Sequence, residues 1–301
     1  MLRLDATALK GSIPPLVTPF RDGAVDYEAY AGLVEFQVAN GSHGILVNGT
    51  TSEPSSLTVE ERNRIVDVAL EAAAGCVSVV VATGSQSFAE TEVLTRHAAS
   101  KAGVDALLIV TPYYSRPPQR GLVEYYRRLN ALTDKPWMIY HIPGRAAVDV
   151  KLETVREIAD VCPTFVGLKH ASLDLAFVSD VFETFGDDLR VFVGLEELSF
   201  PMMAVGACGL MNAVGNLNPR PLADLCQAVW DGDLFKARAL HRQLFEINKA
   251  VFYDINPIPM KYMMKRLGIM PQNEHRLPLM AATPELEQRL DAVLRKTGML
   301  S

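Results

Sequence analysis

Short runs of consecutive apolar, largely β-branched residues recur along the chain. Between them lie longer stretches whose apolar positions fall three or four apart. The runs sit at 13–17, 44–47, 77–82, 106–111, 137–141, 165–169, 191–193 and 209–213, which makes eight predicted strands. Each is almost uniformly apolar rather than alternating, the pattern of a parallel strand covered on both faces. The stretches between them carry helix signals. Asp26 heads one that puts Tyr30, Leu33, Val34 and Val38 on a single face. Thr58 and Glu61 have capping-box spacing and open a helix through Ile65, Val68 and Leu70. Glu90, Val93, Leu94, His97 and Ala98 form the next, with Gly103 expected to stop it. Eight strand-then-helix units predict an α/β fold, a closed (β/α)8 TIM barrel over residues 1–230. The rival is a doubly wound open sheet, which usually carries GxGxxG after its first strand, and that motif is missing. Beyond residue 230 the strands stop. Helices are predicted at 233–253, 257–267 and 284–296, forming a small C-terminal helical domain over 231–301. The last has Thr283 as N-cap, Pro284 at its first position, and Leu286, Leu290, Val293 and Leu294 on one face.

Composition narrows the function classes. Of 301 residues, 49% are hydrophobic and 21% charged, which excludes a disordered chain. The net charge of −6, with no basic run interleaved with aromatics, argues against nucleic acid or an anionic membrane as partner. The four cysteines (Cys76, Cys162, Cys208, Cys226) are scattered without a CxxC, which suits a reducing compartment. The first fifteen residues lack a signal-peptide apolar core, and no apolar run is long enough for a membrane helix. The expectation is a soluble, cytoplasmic protein. Six histidines make no HExxH or HxxxH pair, so no metal site is expected, and Gly84-Ser85-Gln86 lacks P-loop spacing.

In a barrel of this kind the chemistry belongs at the C-terminal ends of the strands. Lys169 closes the run Phe-Val-Gly-Leu-Lys. A lysine there loses solvation, which lowers its pKa toward the neutral amine, and a neutral amine attacks a ketone to form a Schiff base. The plainer reading is a lysine that snorkels to solvent or pairs with a carboxylate. Asn48-Gly49-Thr50-Thr51 follows the second strand. Its small residues can aim consecutive backbone N–H groups at one carboxylate, with hydroxyls as extra donors, or simply form a Thr-capped turn. Tyr140 ends the fifth strand, as a proton relay beside an imine or as a packing aromatic. Arg145, after a Pro-Gly turn, can clamp a second carboxylate or lie on the surface.

With these residues in place, the chain resembles the dihydrodipicolinate synthase / N-acetylneuraminate lyase superfamily of Schiff-base barrels. The likeness runs from Gly11 to about Leu267. It is carried by Gly-Thr-Thr-Ser-Glu at 49–53, Thr-Pro-Tyr-Tyr at 111–114, Tyr-His-Ile-Pro-Gly-Arg at 140–145, Gly-Leu-Lys at 167–169 and Asn-Pro-Ile-Pro-Met-Lys at 256–261. The resemblance implies that Lys169 forms an imine with pyruvate or a related keto acid, with no other cofactor. It implies that the backbone around Thr50 and Thr51 holds the keto-acid carboxylate. Tyr140 would be the general acid/base, linked to Thr50 and to Tyr114, which in the family reaches into a neighbouring subunit's site. Arg145 would bind the aldehyde's carboxylate, and Gly194 and Met211 would fall where pocket backbone contacts the imine. Exposed Tyr113 and Tyr114 in a Pro-rich loop suit an interface, and the family likeness makes that assembly a homotetramer, a pair of tight dimers.

Departures from the family pattern bear on the substrate. Ser52 stands where glycine is usual, His141 where asparagine is usual, His170 where glutamate is common, and Ala146 where the synthase often has threonine. Adjacent strand residues face opposite ways, so the two histidines are candidates for the barrel exterior. Glu196 and Glu197 lie in the loop where sugar-acid lyases bind substrate hydroxyls. Val59, Arg62 and Gln86, at positions of the lysine-feedback site of some synthases, do not resemble that site, so lysine inhibition is not expected. The leading expectation is a synthase of lysine biosynthesis that condenses pyruvate with aspartate-semialdehyde. Thr50, Tyr114 and Arg145 favour it over a neuraminate lyase, which usually has serine at the position of Thr50. The alternatives are an aldolase or dehydratase acting on a 2-keto-3-deoxy sugar acid or 4-hydroxy-2-oxo acid, or a keto-acid-binding barrel without turnover.

Overall fold

The computed structural model describes residues 2–300. Among them, eight parallel strands follow one another around a ring: β1 (Gly11–Ser12), β2 (Gly44–Val47), β3 (Ser78–Ala82), β4 (Ala106–Val110), β5 (Trp137–His141), β6 (Phe165–His170), β7 (Arg190–Val193) and β8 (Gly209–Leu210). Each pairs with the next, β8 returns to β1, and a bridge from Pro15 to Leu46 closes the ring onto β2. A helix follows every strand: α1 (Tyr27–Ala39), α2 (Val59–Ala73), α3 (Phe88–Ser100), α4 (Gln119–Asn130), α5 (Leu152–Val161), α6 (Leu175–Phe185), α7 (Ser199–Ala204) and α8 (Pro219–Trp230). This is the expected (β/α)8 barrel, followed by α9 (Leu234–Gln243), α10 (Phe245–Ala250), α11 (Ile258–Arg266) and α12 (Pro284–Lys296).

Strand residues divide between two cores according to the period of two. Leu46, Val80, Leu108, Met138, Val166 and Phe192 point inward and fill the barrel. Ile45, Val79, Val81, Leu107, Ile139 and Leu168 point outward and pack under the helices. Because both faces are covered, the strands read as unbroken apolar runs.

Several boundaries differ from expectation. The first strand is not a regular 13–17. Gly11–Ser12 pairs with β8 and Ile13 N–H still reaches Leu210 O, while Pro14 O accepts from Leu46 N and Leu16 N donates to Leu46 O. Pro14 and Pro15 have no N–H, so this stretch cannot ladder on both sides. The expected 209–213 strand stops at Leu210, and Ala213–Asn216 turns into a 3-10 helix. On α1, Gln37 rather than Val38 takes the fourth buried position, because its amide finds the Gly215 carbonyl at 3.0 Å. On α3, Val93 is half exposed, and the helix ends at Ser100, capped by extended Lys101 before Gly103 is reached. The expected 233–253 helix breaks at Leu244, whose ψ of −10° falls short of helical. The restarted α10 turns Asn248 onto the Glu196 carbonyl at 3.3 Å. The other caps form as predicted: Asp26 on Ala29 N–H, the full Thr58–Glu61 box, and Thr283 on Leu286 N–H.

The seam where the ring closes brings two strand backbones into close approach. Gly209 faces Gly11 in register, and a Cβ on Gly209 would overlap the Gly11 backbone. Gly209→Ala should therefore cost at least about 2 kcal/mol, as overpacking against backbone that cannot move aside. Gly32→Ala on α1, where nothing crowds the added Cβ, should instead stabilise by about 0.5–1 kcal/mol. Urea unfolding midpoints of the two variants check both signs.

Candidate active site

The turn after β2 is built by a sharp change of backbone direction. Asn48 is left-handed (φ 58°), Gly49 is extended, and Thr50–Ser52 make one 3-10 turn. Asn48 ties this turn to α2 by donating to the Arg62 carbonyl at 2.9 Å. Ser52 donates its hydroxyl to Gly49 O at 3.0 Å, and Thr18 donates to Ser52 O at 2.8 Å. The Ser52 hydroxyl is thus absorbed by its own turn. The N–H groups of Thr50 and Thr51 come first in the turn and have no protein acceptor among the described residues. Two adjacent donors are left for an anion.

Lys169 and Tyr140 are brought together by strand register. Tyr140 lies opposite Lys169 across the β5–β6 ladder, with the Lys169 Nζ 4.3 Å from the centre of the Tyr140 ring. Lys169 is only 3% exposed, so its amine lies inside the barrel rather than snorkelling outward. The Tyr140 hydroxyl is 3.5 Å from the Thr50 hydroxyl, and Met211 lies in the interior cluster with Tyr140. Gly194 leaves the lysine its space: a Cβ there would come 3.2 Å from Lys169 Cε and 2.8 Å from Ala171 Cβ. A cavity of about 910 Å³ opens above, lined by Thr50, Tyr113, Tyr140, Arg145 and Asn256 among others. Arg145 is exposed at its rim, on the short helical turn Pro143–Ala146. The arrangement places an amine, a phenol and a turn with two uncommitted N–H groups at one mouth, with a guanidinium at the edge.

The chain matches the Dihydrodipicolinate synthetase family over residues 8–297. The chain belongs to that family. A 4-hydroxy-tetrahydrodipicolinate synthase of Thermus thermophilus is 45% identical over 292 residues, 97% of each chain. The crystal structure of dihydrodipicolinate synthase from Aquifex aeolicus superposes with a TM-score of 0.94 at 38% identity, covering 97% of this chain and 99% of that one. A dihydrodipicolinate synthase of Acinetobacter baumannii, solved in complex with pyruvate, gives 0.93 at 30% identity over 97% and 100% of the two chains.

Two residues singled out from the sequence, Tyr114 and Glu196, do not line this cavity. Tyr114 is 84% exposed, with a left-handed φ of 70°, and it is Tyr113 that lines the chain's own cavity. Glu196 is buried, and one carboxylate oxygen accepts from Ala213 N–H at 2.6 Å and Val214 N–H at 3.3 Å. Burial pushes its carboxyl up to about 7. That oxygen is committed to backbone, whereas Glu197 alongside is exposed.

Sequence reading missed the contacts that the C-terminal helices make with the β2 turn. Asn256 donates to the Thr51 hydroxyl at 2.9 Å, and Glu53 takes the Lys261 ammonium at 2.7 Å and His275 at 3.2 Å. Burial alone would raise the Glu53 carboxyl, but the His275 bond and the Lys261 charge outweigh it and hold it below the usual range. One signal was available: Lys261 sits amid Ile258, Met260, Tyr262, Met263 and Met264, where a buried cation demands a buried partner.

The two histidines that depart from the family pattern lie on the outer face of β5 and β6, as alternation requires. Their Nδ1 atoms are 3.1 Å apart, His141 Nε2 is 2.7 Å from Asp149, and both rings pack on Phe177 of α6. With His141 donating to Asp149, its Nδ1 accepts from His170 Nδ1–H. Burial, with the neighbouring His141 adding to it, pulls His170 down to about 4, and burial also lowers His141. Both are neutral at pH 7. An unfolded His170 takes its proton near pH 6.5 and the folded one does not, so this contribution is intact above about 6.5 and is lost as pH falls toward 4. By pH 5 the loss should reach about 2 kcal/mol. The variant His141→Asn/His170→Gln should show a shallower fall in melting temperature between pH 7.5 and 5, measured by calorimetry.

Proposed function

We propose that this chain condenses pyruvate with L-aspartate-4-semialdehyde to give 4-hydroxy-tetrahydrodipicolinate, a step of lysine biosynthesis in the cytoplasm. The observation that carries this reading is the buried Lys169 amine against Tyr140, whose hydroxyl lies 3.5 Å from Thr50 at the mouth of a family barrel. The catalytic barrel spans 1–230, and the helical unit 231–301 braces its β2 turn.

In this reading Lys169 Nζ attacks the pyruvate ketone, water leaves, and a protonated imine forms. The Thr50 and Thr51 N–H groups hold the carboxylate. The imine draws electrons from the methyl carbon, which loses a proton to give the enamine. The enamine carbon attacks the aldehyde, whose oxygen takes a proton through Tyr140, with Thr50 and a partner subunit's copy of the exposed Tyr114 completing the relay. Arg145 holds the semialdehyde carboxylate. The semialdehyde amine then displaces Lys169 from the imine carbon, closing the ring and freeing the lysine. No cofactor besides the Lys169 imine is needed. One Glu196 oxygen is committed to backbone N–H groups and the other is buried away from the cavity, so it offers sugar hydroxyls little, which favours the synthase over the sugar-acid alternative.

Borohydride reduction in the presence of pyruvate should add one pyruvate-derived adduct, mapped by peptide mass spectrometry to Lys169 and lost in Lys169→Ala. An intact wild-type chain left unmodified would overturn the reading. Arg145→Ala should leave pyruvate trapping intact while lowering kcat/KM for the semialdehyde by at least about a hundredfold, on the scale of a charge-assisted bidentate contact. Light scattering should give the mass of a homotetramer; a single-subunit mass would remove Tyr114 from the relay.

Lysine should not inhibit. The Arg62 guanidinium, donating to the Ala82 and Gly84 carbonyls at 3.1 and 3.2 Å, puts a buried cation at a position that belongs to the lysine site of some synthases. Glu90 is engaged by Ser85 at 2.6 Å. Turnover in millimolar lysine, measured at subsaturating pyruvate, should be unchanged.

A further inference from the structure

The proposed chemistry uses the Thr50–Thr51 turn as the seat of the keto-acid carboxylate, and the role of Asn256 rests on that reading. The turn is not held by the barrel alone. Asn256 Nδ2 donates to Thr51 Oγ1 at 2.9 Å, with both residues buried. Two residues further along the turn, Glu53 is gripped by Lys261 and His275. Asn256 and Lys261 belong to one segment, the entry and first turn of α11, so a single piece of the C-terminal unit fastens the turn at two points.

A threonine hydroxyl has one proton to give and two lone pairs to receive. The Asn256 N–H occupies a lone pair of Thr51, and among the described residues the hydroxyl donates to no protein acceptor. An amide donor therefore decides which way the hydroxyl works: its proton is left for a group that is not protein. Beside the two uncommitted N–H groups of Thr50 and Thr51, that makes a third donor for the same anion. Asn256 also lines the cavity.

We propose that Asn256 is a positioning residue for the keto acid: it sets the Thr51 hydroxyl as a donor to the substrate carboxylate. The residue acts through Thr51, so its effect falls on pyruvate affinity and not on the aldehyde or the acid/base steps.

The test is the pyruvate dependence of borohydride trapping on Lys169, with steady-state kinetics alongside. Asn256→Ala should raise the half-saturating pyruvate concentration about tenfold, the scale of one hydrogen bond to a charged group. Trapping at saturation and KM for the semialdehyde should stay within about twofold of wild type. Asn256→Asp keeps the shape and the packing. Its carboxylate would claim the Thr51 proton and repel the substrate, so pyruvate affinity should fall further than in Asn256→Ala. In the Thr51→Val background Asn256→Ala should add nothing, because the hydroxyl it sets is gone. Wild-type trapping on Lys169 with an unchanged half-saturation in both Asn256 variants would overturn this inference and leave the Schiff-base reading standing. So would a loss of kcat alone, or full additivity with Thr51→Val. No trapping in the wild type would sink the Schiff-base reading and this inference with it.

Discussion

The register of β5 on β6 is the constraint on which the rest of the site depends. Parallel pairing sets Tyr140 opposite Lys169, and the period of two then sends both side chains into the barrel while His141 and His170 turn out beneath α6. A one-residue slip would exchange the pairs, placing imidazoles inside and the amine under a helix. The ring is closed at β8–β1 by two facing glycines and completed by a proline-rich stretch that pairs on one side only. Small residues where backbones must meet, and large apolar ones elsewhere, keep that register in place.

Inside this frame, burial changes what each charged group is fit for. Glu53, Lys261 and His275 are sealed together, so the attraction between them must offset the solvation all three have lost. Such clusters are poor sources of net stability and better suited to fixing one arrangement. Here the arrangement is the seating of the C-terminal helices on the turn that carries Thr50 and Thr51. Glu196 meets the same loss of solvation without a cation in hydrogen-bond contact and responds by holding its proton more tightly, at about 7. Arg62 spends one guanidinium nitrogen on two backbone carbonyls and stays charged, drawn down by burial only to about 10.

Much of the architecture was legible in the chain because its signals are local. Uniformly apolar runs reflect strands covered on both sides, and caps such as Asp26, Thr58 and Thr283 need only the next three or four residues. The misplaced boundaries share a different cause. Gln37 is buried because a carbonyl 178 positions away accepts from it, and the break at Leu244 lets Asn248 reach the Glu196 carbonyl, 52 positions back. No window of neighbouring residues carries such information.

The same division runs through the function. The sequence by itself determined that this is a strand–helix barrel of the Schiff-base family, with Lys169, Tyr140, Thr50 and Arg145 at strand ends. Those statements depend on residue type, order and motif, which a linear chain displays. Only the tertiary structure decided that Glu196 is committed to the Ala213 and Val214 backbone, that the two unusual histidines bond to each other outside the barrel, and that Asn256 and Lys261 fasten a turn some 205 and 208 positions away. Hydrogen bonds and buried charges are satisfied by whatever atom lies within about 3 Å, and which atom that is emerges only when the ring closes.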